Sequence, residues 1–284
     1  MAPSRLLIVG AGKVGTNLAR LAASKGQEVT LWNPVSPPDD VLSAAAAALT
    51  VVVASPPNGS YDLVLLAVTD SEVAKVARQV DGWPATDGLP LAHTSGSVGT
   101  LVLKSGRAVG VCHPAFAFPS PALPVERLRT VVFLLDGPEE TRQAFGELVR
   151  SWENVAIDSP GANRELYHAA CVTASNFLAL LGANATELLA AAGVPEKGRN
   201  PLILSLMGSV LSQANENSFP AAMTGPAARG DAATIIAEAT RIAQQTPEQF
   251  NLFLEANLSL LQRHGHTAAA DELTAWLGDM DGEE

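Results

Sequence analysis

Leu6-Leu7-Ile8-Val9-Gly10-Ala11-Gly12-Lys13-Val14-Gly15 joins a short apolar run to a Gly-x-Gly-x-x-Gly and then to residues 14–25, whose apolar side chains recur at helical spacing. A strand over 5–9, a tight turn and a helix follow from that order. Gly10 permits the turn, Gly12 lets a backbone come close to a pyrophosphate, and Gly15 allows the helix to pack on the strand. Lys13 and Val14 open the helix, whose first N–H groups and positive end suit an anionic phosphate. A dinucleotide is the ligand this arrangement fits, and a ligand-free glycine turn is the plainer alternative.

Outward from this turn, short β-rich runs alternate with helix-length segments. Strands are expected at 5–9, 28–32, 50–54, 62–68, 89–93, 108–112, 130–135 and 154–157, with helices over Val14–Lys25, Ser71–Val80 and Pro138–Trp152. Such alternation implies a parallel sheet covered on both faces. After Asp158-Ser159-Pro160-Gly161 the strand pattern stops. Residues 162–192, 200–217, 231–245, 247–263 and 267–277 read as helices broken by Gly and Pro. The expected fold is therefore α/β: an N-terminal Rossmann doubly wound, mostly parallel sheet over residues 1–159, and a C-terminal all-helical substrate or dimerisation domain over 160–284. The run Ala44–Ala48 reads as part of a crossover helix.

Bulk properties narrow the partners. With 29 acidic and 18 basic residues in 284, the net charge of -11 opposes attraction to nucleic acid or anionic lipid. Some of that charge lies in residues 279–284, expected to be a frayed tail. Two cysteines, Cys112 and Cys171, cannot build a disulfide framework, which fits a reducing, cytoplasmic setting. The apolar run after Met1 is short for a signal peptide, and every longer apolar stretch is interrupted by Pro, Gly, Asp or Asn, so neither a leader nor a membrane span is expected.

Further residues gather at the ends of strands. Asn33 stands where NAD-specific folds usually carry Asp or Glu for the ribose hydroxyls, which leans toward NADP, yet no Arg or Lys lies in 33–40 to clasp a 2′-phosphate. Asn33 acting on the ribose and Asn33 simply starting a turn before Pro34 remain open. Val68 and Thr69 border the expected cofactor place, with Asp70 or Ser71 read as a helix cap. In His93-Thr94-Ser95-Gly96-Ser97, Ser95 and nearby N–H groups can hold the nicotinamide or a substrate carboxylate, or merely form a capping turn. The proline-rich stretch 114–124 crosses the surface near the same edge.

Cys112-His113-Pro114 closes another strand with a histidine that can pass a proton or bind a substrate oxygen, or serve structure alone. The helix opening Arg164-Glu165-Leu166-Tyr167-His168 places Arg164, His168 and Cys171/Val172 on one face. On α-helical spacing Ser175 stands above His168, with Asn176 about a fifth of a turn away. Tyr167 and His168 also read as core residues. In Thr224-Gly225-Pro226-Ala227-Ala228-Arg229-Gly230-Asp231, Asp231 is a natural helix cap and Arg229 either an anion receptor or half of a salt bridge. The five histidines have no carboxylate or cysteine at metal-binding spacing.

The glycine turn, His-Thr-Ser-Gly-Ser, Cys-His-Pro, Leu-Tyr-His-Ala-Ala…Ala-Ser-Asn-Phe and Met-Thr-Gly-Pro-Ala-Ala-Arg-Gly-Asp together resemble the Rossmann-like proteins of domain of unknown function family 2520. That family is similar in turn to the 6-phosphogluconate dehydrogenase-like superfamily, with ketopantoate reductase and pyrroline-5-carboxylate reductase. The resemblance implies a nicotinamide site between the domains and a homodimer through the helical one. Ketopantoate reductases carry Lys-x3-Asn-x3-Asn on the corresponding helix, and here the positions are His168, Val172 and Asn176. The change of Lys to His and of the middle Asn to Val departs from ketopantoate itself. What remains expected is hydride transfer between NADP, or NAD, and a small carbonyl or imine bearing a carboxylate, with His168, Asn176, His113 and Arg229 as catalytic candidates. A dinucleotide-binding sensor without chemistry, or a dimerising scaffold, are the rival readings.

Overall fold

The structure, a computed structural model, describes residues 3–45 and 50–281. The chain folds as two compact units, Met1–Ser175 and Asn176–Glu284.

In the first unit the chain runs β1 (Arg5–Val9), α1 (Lys13–Ser24), β2 (Glu28–Asn33), α2 (Asp39–Ala45), β3 (Thr50–Val53), β4 (Leu63–Leu66), α3 (Val73–Asp81), β5 (Leu91–His93), β6 (Leu101–Val102), β7 (Ala108–Ala115), α4 (Val125–Leu128), β8 (Val132–Asp136), α5 (Glu139–Ser151), β9 (Val155–Asp158) and α6 (Arg164–Val172). The sheet order is β3-β2-β1-β4-β5-β7-β8-β9, with β6 paired to β7. Reversal of direction between β1 and β4 is the switch point of a doubly wound sheet, where a crevice opens outside the carboxyl ends. Alternate side chains of β1 enter two cores. Leu6 and Ile8 join Leu18, Leu21, Phe133, Phe145 and Trp152, while Leu7 and Val9 join Val64, Leu66, Val80 and Trp83. Burial on both faces explains why β1 and β4 read as unbroken apolar runs.

All eight expected strands are present within a few residues. The two-residue β6 carries no signal of its own. β8 runs antiparallel to β7, because the stretch between them leaves and re-enters the sheet at the same edge. That proline-rich stretch is clasped to α1. Asn17, fully buried in the helix, donates from Nδ2 to the Ser120 carbonyl at 2.6 Å and accepts at Oδ1 from the Leu123 N–H at 3.0 Å, while Arg20 donates to the Leu123 carbonyl at 2.7 Å.

Strands end at Asp158, close to the expected boundary at 159, but the first compact unit continues to Ser175. α6 stays with the sheet because Arg164, 6% exposed, donates to the carbonyls of Gly96 at 2.6 Å and Ser95 at 3.3 Å. Thr173–Phe177 then widens into a π turn, which adds a residue to the turn, so the α-helical spacing used to align Ser175 and Asn176 does not hold there.

The second unit contains α7 (Leu178–Ala191), α8 (Glu196–Glu216), α9 (Pro226–Arg229), α10 (Ala232–Gln245), α11 (Phe250–Arg263) and α12 (Thr267–Asp281). Ile235, Ala239, Leu254, Leu261 and Leu273 build its core. α7 and α8 bury almost nothing in this chain, and Leu180, Leu181, Leu204, Leu206 and Leu211 stand exposed. The helical run Arg164–Ala191 is long and apolar enough to span a membrane, with mean hydropathy 1.3 over its most apolar window. By length and composition alone this run is an exception to the expectation that every apolar stretch falls short, with Asn176, Gly182 and Asn184 interrupting it as the sequence shows. Of the expected tail, residues 279–281 are helical and 282–284 lie outside the described residues, as do 46–48 of the alanine run.

Candidate functional site

The glycine turn is built by exclusion. Gly10 has φ +112°, and a Cβ there would lie 2.3 Å from the Ala67 carbonyl oxygen, beyond the end of β4. A Cβ on Gly15 would lie 1.9 Å from the Gly10 carbonyl oxygen, so only hydrogen fits between α1 and the turn. Gly12 is different. Nothing lies within 4 Å of where its Cβ would be, so its backbone faces open space at the start of α1, the cradle a pyrophosphate requires. Lys13 is exposed and Val14 half-buried beside that opening.

Asn33, at the end of β2, is committed to the turn: its Oδ1 accepts from the Ala11 N–H at 3.2 Å and its Nδ2 donates to the Val35 carbonyl at 2.8 Å. Val68 is half-buried against the Gly10 turn and Thr69 is exposed. Asp70 is not the helix cap expected. Thr69 precedes that short helix without a side-chain cap bond, and the Asp70 carboxylate instead accepts from the Ser97 hydroxyl. Desolvation acts to raise the Asp70 pKa, but hydrogen bonds from Ser97 and Ser95 together with the nearby His168 and His93 outweigh it and the net shift is downward.

Ser95 is buried, its Oγ accepting from the N–H groups of Ser97 at 3.2 Å and Val98 at 3.0 Å, so it holds its own turn. His93 is fully buried and structural. The Ser95 N–H donates to its Nδ1 at 3.2 Å, which leaves Nε2–H to donate to the Gly99 carbonyl at 3.1 Å, and burial lowers its pKa.

Around Gly96 the structure gathers residues far apart in sequence. A Cβ at Gly96 would come within 2.9 Å of His113 Nε2 and 3.1 Å of His168 Cδ2. His113 Nδ1 lies 2.6 Å from the Tyr167 hydroxyl, with the two rings edge to face at 5.4 Å. Burial, then the charges of Arg164 and His168, push the His113 pKa down to about 4, so the ring is neutral near pH 7. The Arg164 guanidinium sits 4.6 Å from the Tyr167 ring centroid, and its Nε and Nη1 have no hydrogen-bond partner among the described residues. His168 is exposed beside this group.

The structure brings together His113 and His168, which the sequence offers as separate candidates, with Tyr167, which it reads as a core residue; the parts of Gly96 and of Arg164 as a clasp are not visible in the sequence. The available signal was Arg164 and Tyr167 three residues apart at a helix start. Ser175 donates to the Cys171 carbonyl at 2.7 Å, and Asn176 begins the second unit. Arg229 is exposed and in no salt bridge among the described residues. Its loop is fixed instead by His266, whose Nε2 pairs with the Ala228 carbonyl at 3.0 Å, and by Gly230 at φ +69°. A cavity of 550 Å³ lined by Arg5, Glu28, Thr30 and Tyr61 lies at the amino ends of β1 and β2, the edge opposite to the one where open α/β sheets bind ligands.

Residues 131–256 match the sequence profile of the family described as domain of unknown function (DUF2520). The glycine turn lies outside that span. No protein of curated function matches the chain in sequence. Among solved structures, a Bacteroides fragilis protein provisionally named an NADP oxidoreductase is 22% identical with a TM-score of 0.69, over 91% of this chain and 98% of that one. A Thermotoga maritima protein is 22% identical with a TM-score of 0.68, over 93% and 99%. Plasmodium falciparum pyrroline carboxylate reductase, solved with NADP bound, is 12% identical with a TM-score of 0.58, over 95% and 98%. These likenesses show a shared Rossmann-like fold.

Proposed function

We propose, from the premise that residues 131–256 match the DUF2520 family, that the chain is an NAD(P)-dependent oxidoreductase acting on a small carbonyl or imine compound that bears a carboxylate. The observation that carries this reading is the pairing of an open-faced Gly12 at the carboxyl end of β1 with a neutral His113, Tyr167 and His168 gathered at the carboxyl end of β5. One end suits a pyrophosphate, and the other offers proton-bearing groups where the reacting ring would lie.

Gly10, Gly12, Lys13, Val14 and Gly15 would hold the pyrophosphate, Asn33 would brace the turn on the ribose side, and Val68, Thr69 and Ser95 would border the nicotinamide. Bound there, the reduced dinucleotide supplies a hydride. NADPH is the preferred form and NADH the second. His113 and His168 are the groups nearest a substrate. The solved relative with NADP bound supports this class of cofactor. We further propose a cytoplasmic homodimer joined through the helical domain, which would cover the exposed leucines of α7 and α8, without nucleic-acid or membrane partners.

The test is a fluorescence titration of the purified protein with NADPH and NADH, followed by a turnover screen of 2-oxo acids and cyclic imines. Saturable binding and turnover of at least one compound are expected. Folded protein that binds neither dinucleotide would overturn the reading, and binding without turnover would leave a sensor.

A further inference from the structure

We propose that Tyr167 is the proton donor of this site, its phenol held between the ring of His113 and the guanidinium of Arg164. The proposal rests on the oxidoreductase reading and deepens it by assigning the proton to a residue that sequence patterns place equally well in a core.

Three observations carry it. First, Tyr167 is only half-buried, and it stands at the sheet edge with His113 and Arg164 against it. Second, the contact of 2.6 Å to His113 Nδ1 has a direction. The Nε2 side of the imidazole faces Gly96, closely enough that a Cβ there would come within 2.9 Å, and among the described residues no acceptor pairs with Nε2. A ring proton on Nδ1 has the phenol oxygen as its acceptor, whereas a bare Nδ1 takes the phenol proton instead; we assign the Nδ1–H form. His113 then donates to Tyr167, and the phenol's own proton is left to the Cys171 thiol beside it until a bound molecule draws on it. Third, Arg164 is nine-tenths buried with two nitrogens unpaired and no carboxylate bonded to it, and it lies over the Tyr167 ring. Its positive charge, offset only at a distance by Asp136, lies where a phenolate would form.

Burial raises the pKa of Tyr167, with the Cys171 thiol acting the same way, so the phenol stays protonated until a substrate draws on it. The charged and titratable groups that face His113 are Arg164, His168, Asp70 and His93. Burial, Arg164, His168 and His93 keep it neutral against the opposing charge of Asp70. With a hydride supplied to the substrate carbon by reduced nicotinamide bound here, the C=O or C=N π pair would move to the oxygen or nitrogen, and the Tyr167 O–H bond would break as its proton passes to that atom. The phenolate left behind accepts from His113 Nδ1–H and faces Arg164, and solvent returns the proton.

The deciding measurement needs no substrate. In the full chain labelled with 15N-histidine, the His113 signals are assigned by their loss in His113→Gln, and the protonated ring nitrogen is read near neutral pH. Protonated Nδ1 is expected. Protonated Nε2 with a bare Nδ1 would mean that the phenol proton is already given to His113, and would overturn the proposal. For any compound turned over in the screen, Tyr167→Phe should lower kcat by about 100-fold or more and abolish the solvent isotope effect on kcat. NADPH affinity should stay within about twofold, and His168→Ala should cost less than Tyr167→Phe. Equal kcat in wild type and Tyr167→Phe, or a larger loss in His168→Ala, also overturns it. Failure of the wild type to bind NADPH is a separate result, because it removes the oxidoreductase reading while the tautomer measurement still stands.

Discussion

The glycine turn and the cluster around Gly96 occupy two carboxyl ends of one sheet, and they were made specific in opposite ways. The turn is local: six consecutive residues, of which Gly10 and Gly15 are constrained by each other and by the residue that follows β4. The cluster is remote: His113 and Tyr167 are 54 positions apart, and Arg164 reaches back 68 positions to Gly96. A local arrangement survives as a pattern in the sequence, whereas a remote one exists only after the sheet order has been laid down. Within the turn itself there is a second contrast, between glycines required by packing and a glycine required by a ligand.

That second contrast can be broken most severely. Gly15→Ala drives a Cβ into the Gly10 carbonyl, which is backbone and cannot turn aside, so a stability loss of about 3 kcal/mol or more is expected in urea unfolding. Gly12→Asp has open space and should unfold with the wild type, yet bind NADPH about 100-fold more weakly because it sets a carboxylate against phosphate. Equal stability losses in the two variants would erase the distinction.

Gly96→Ala tests the remote cluster with a smaller effect. Its Cβ would press on the ends of two imidazoles, which can shift, so about 1 kcal/mol of stability is expected to go. NADPH binding should persist while turnover falls about tenfold through misplacement of His113. Loss of dinucleotide binding in this variant would show that the two ends do not act separately.

The smallest effect is in the dependence on pH. His113 ordinarily titrates at 6.5 and is held down to about 4 in the folded chain. Above 6.5 both folded and unfolded forms are neutral there. As pH falls from 6.5 toward 4, the unfolded chain takes up a proton that the folded one resists, so stability declines across that window and the decline ends below it. His93, lowered in the same direction, adds to the slope. Urea unfolding at about pH 7.5 and about pH 5 should show His113→Gln losing less on acidification than the wild type; a greater loss would contradict the assigned shift.

Legibility followed the same division. Strands β1 to β5 and the helices between them could be placed from periodicity, since burial on both faces writes itself as continuous apolar runs. Lys13, Val14 and the three glycines came with the turn. Asn33 was located, but its tie to Ala11 N–H could not be seen, because it depends on how β2 lies beside the turn. Asp70 was taken for a cap, since a hydroxyl 27 positions downstream, that of Ser97, leaves no trace in local spacing. The π turn at 173–177 was equally silent, and with it the phase of Ser175 and Asn176 along the helix. Tyr167 was visible only as one more aromatic on an apolar helix until His113 and Arg164 were brought to either side of it.

The clasp at Asn17 sets a clock for the proline-rich stretch it holds. An amide in an irregular surface segment ordinarily trades its hydrogen with water in a local flicker. The Leu123 amide is bonded to a side chain fixed inside α1, which also grips Ser120. Its deuterium uptake should therefore keep the slow pace of that helix rather than the fast pace of a coil. The segment then belongs dynamically to the element that begins at the glycine turn.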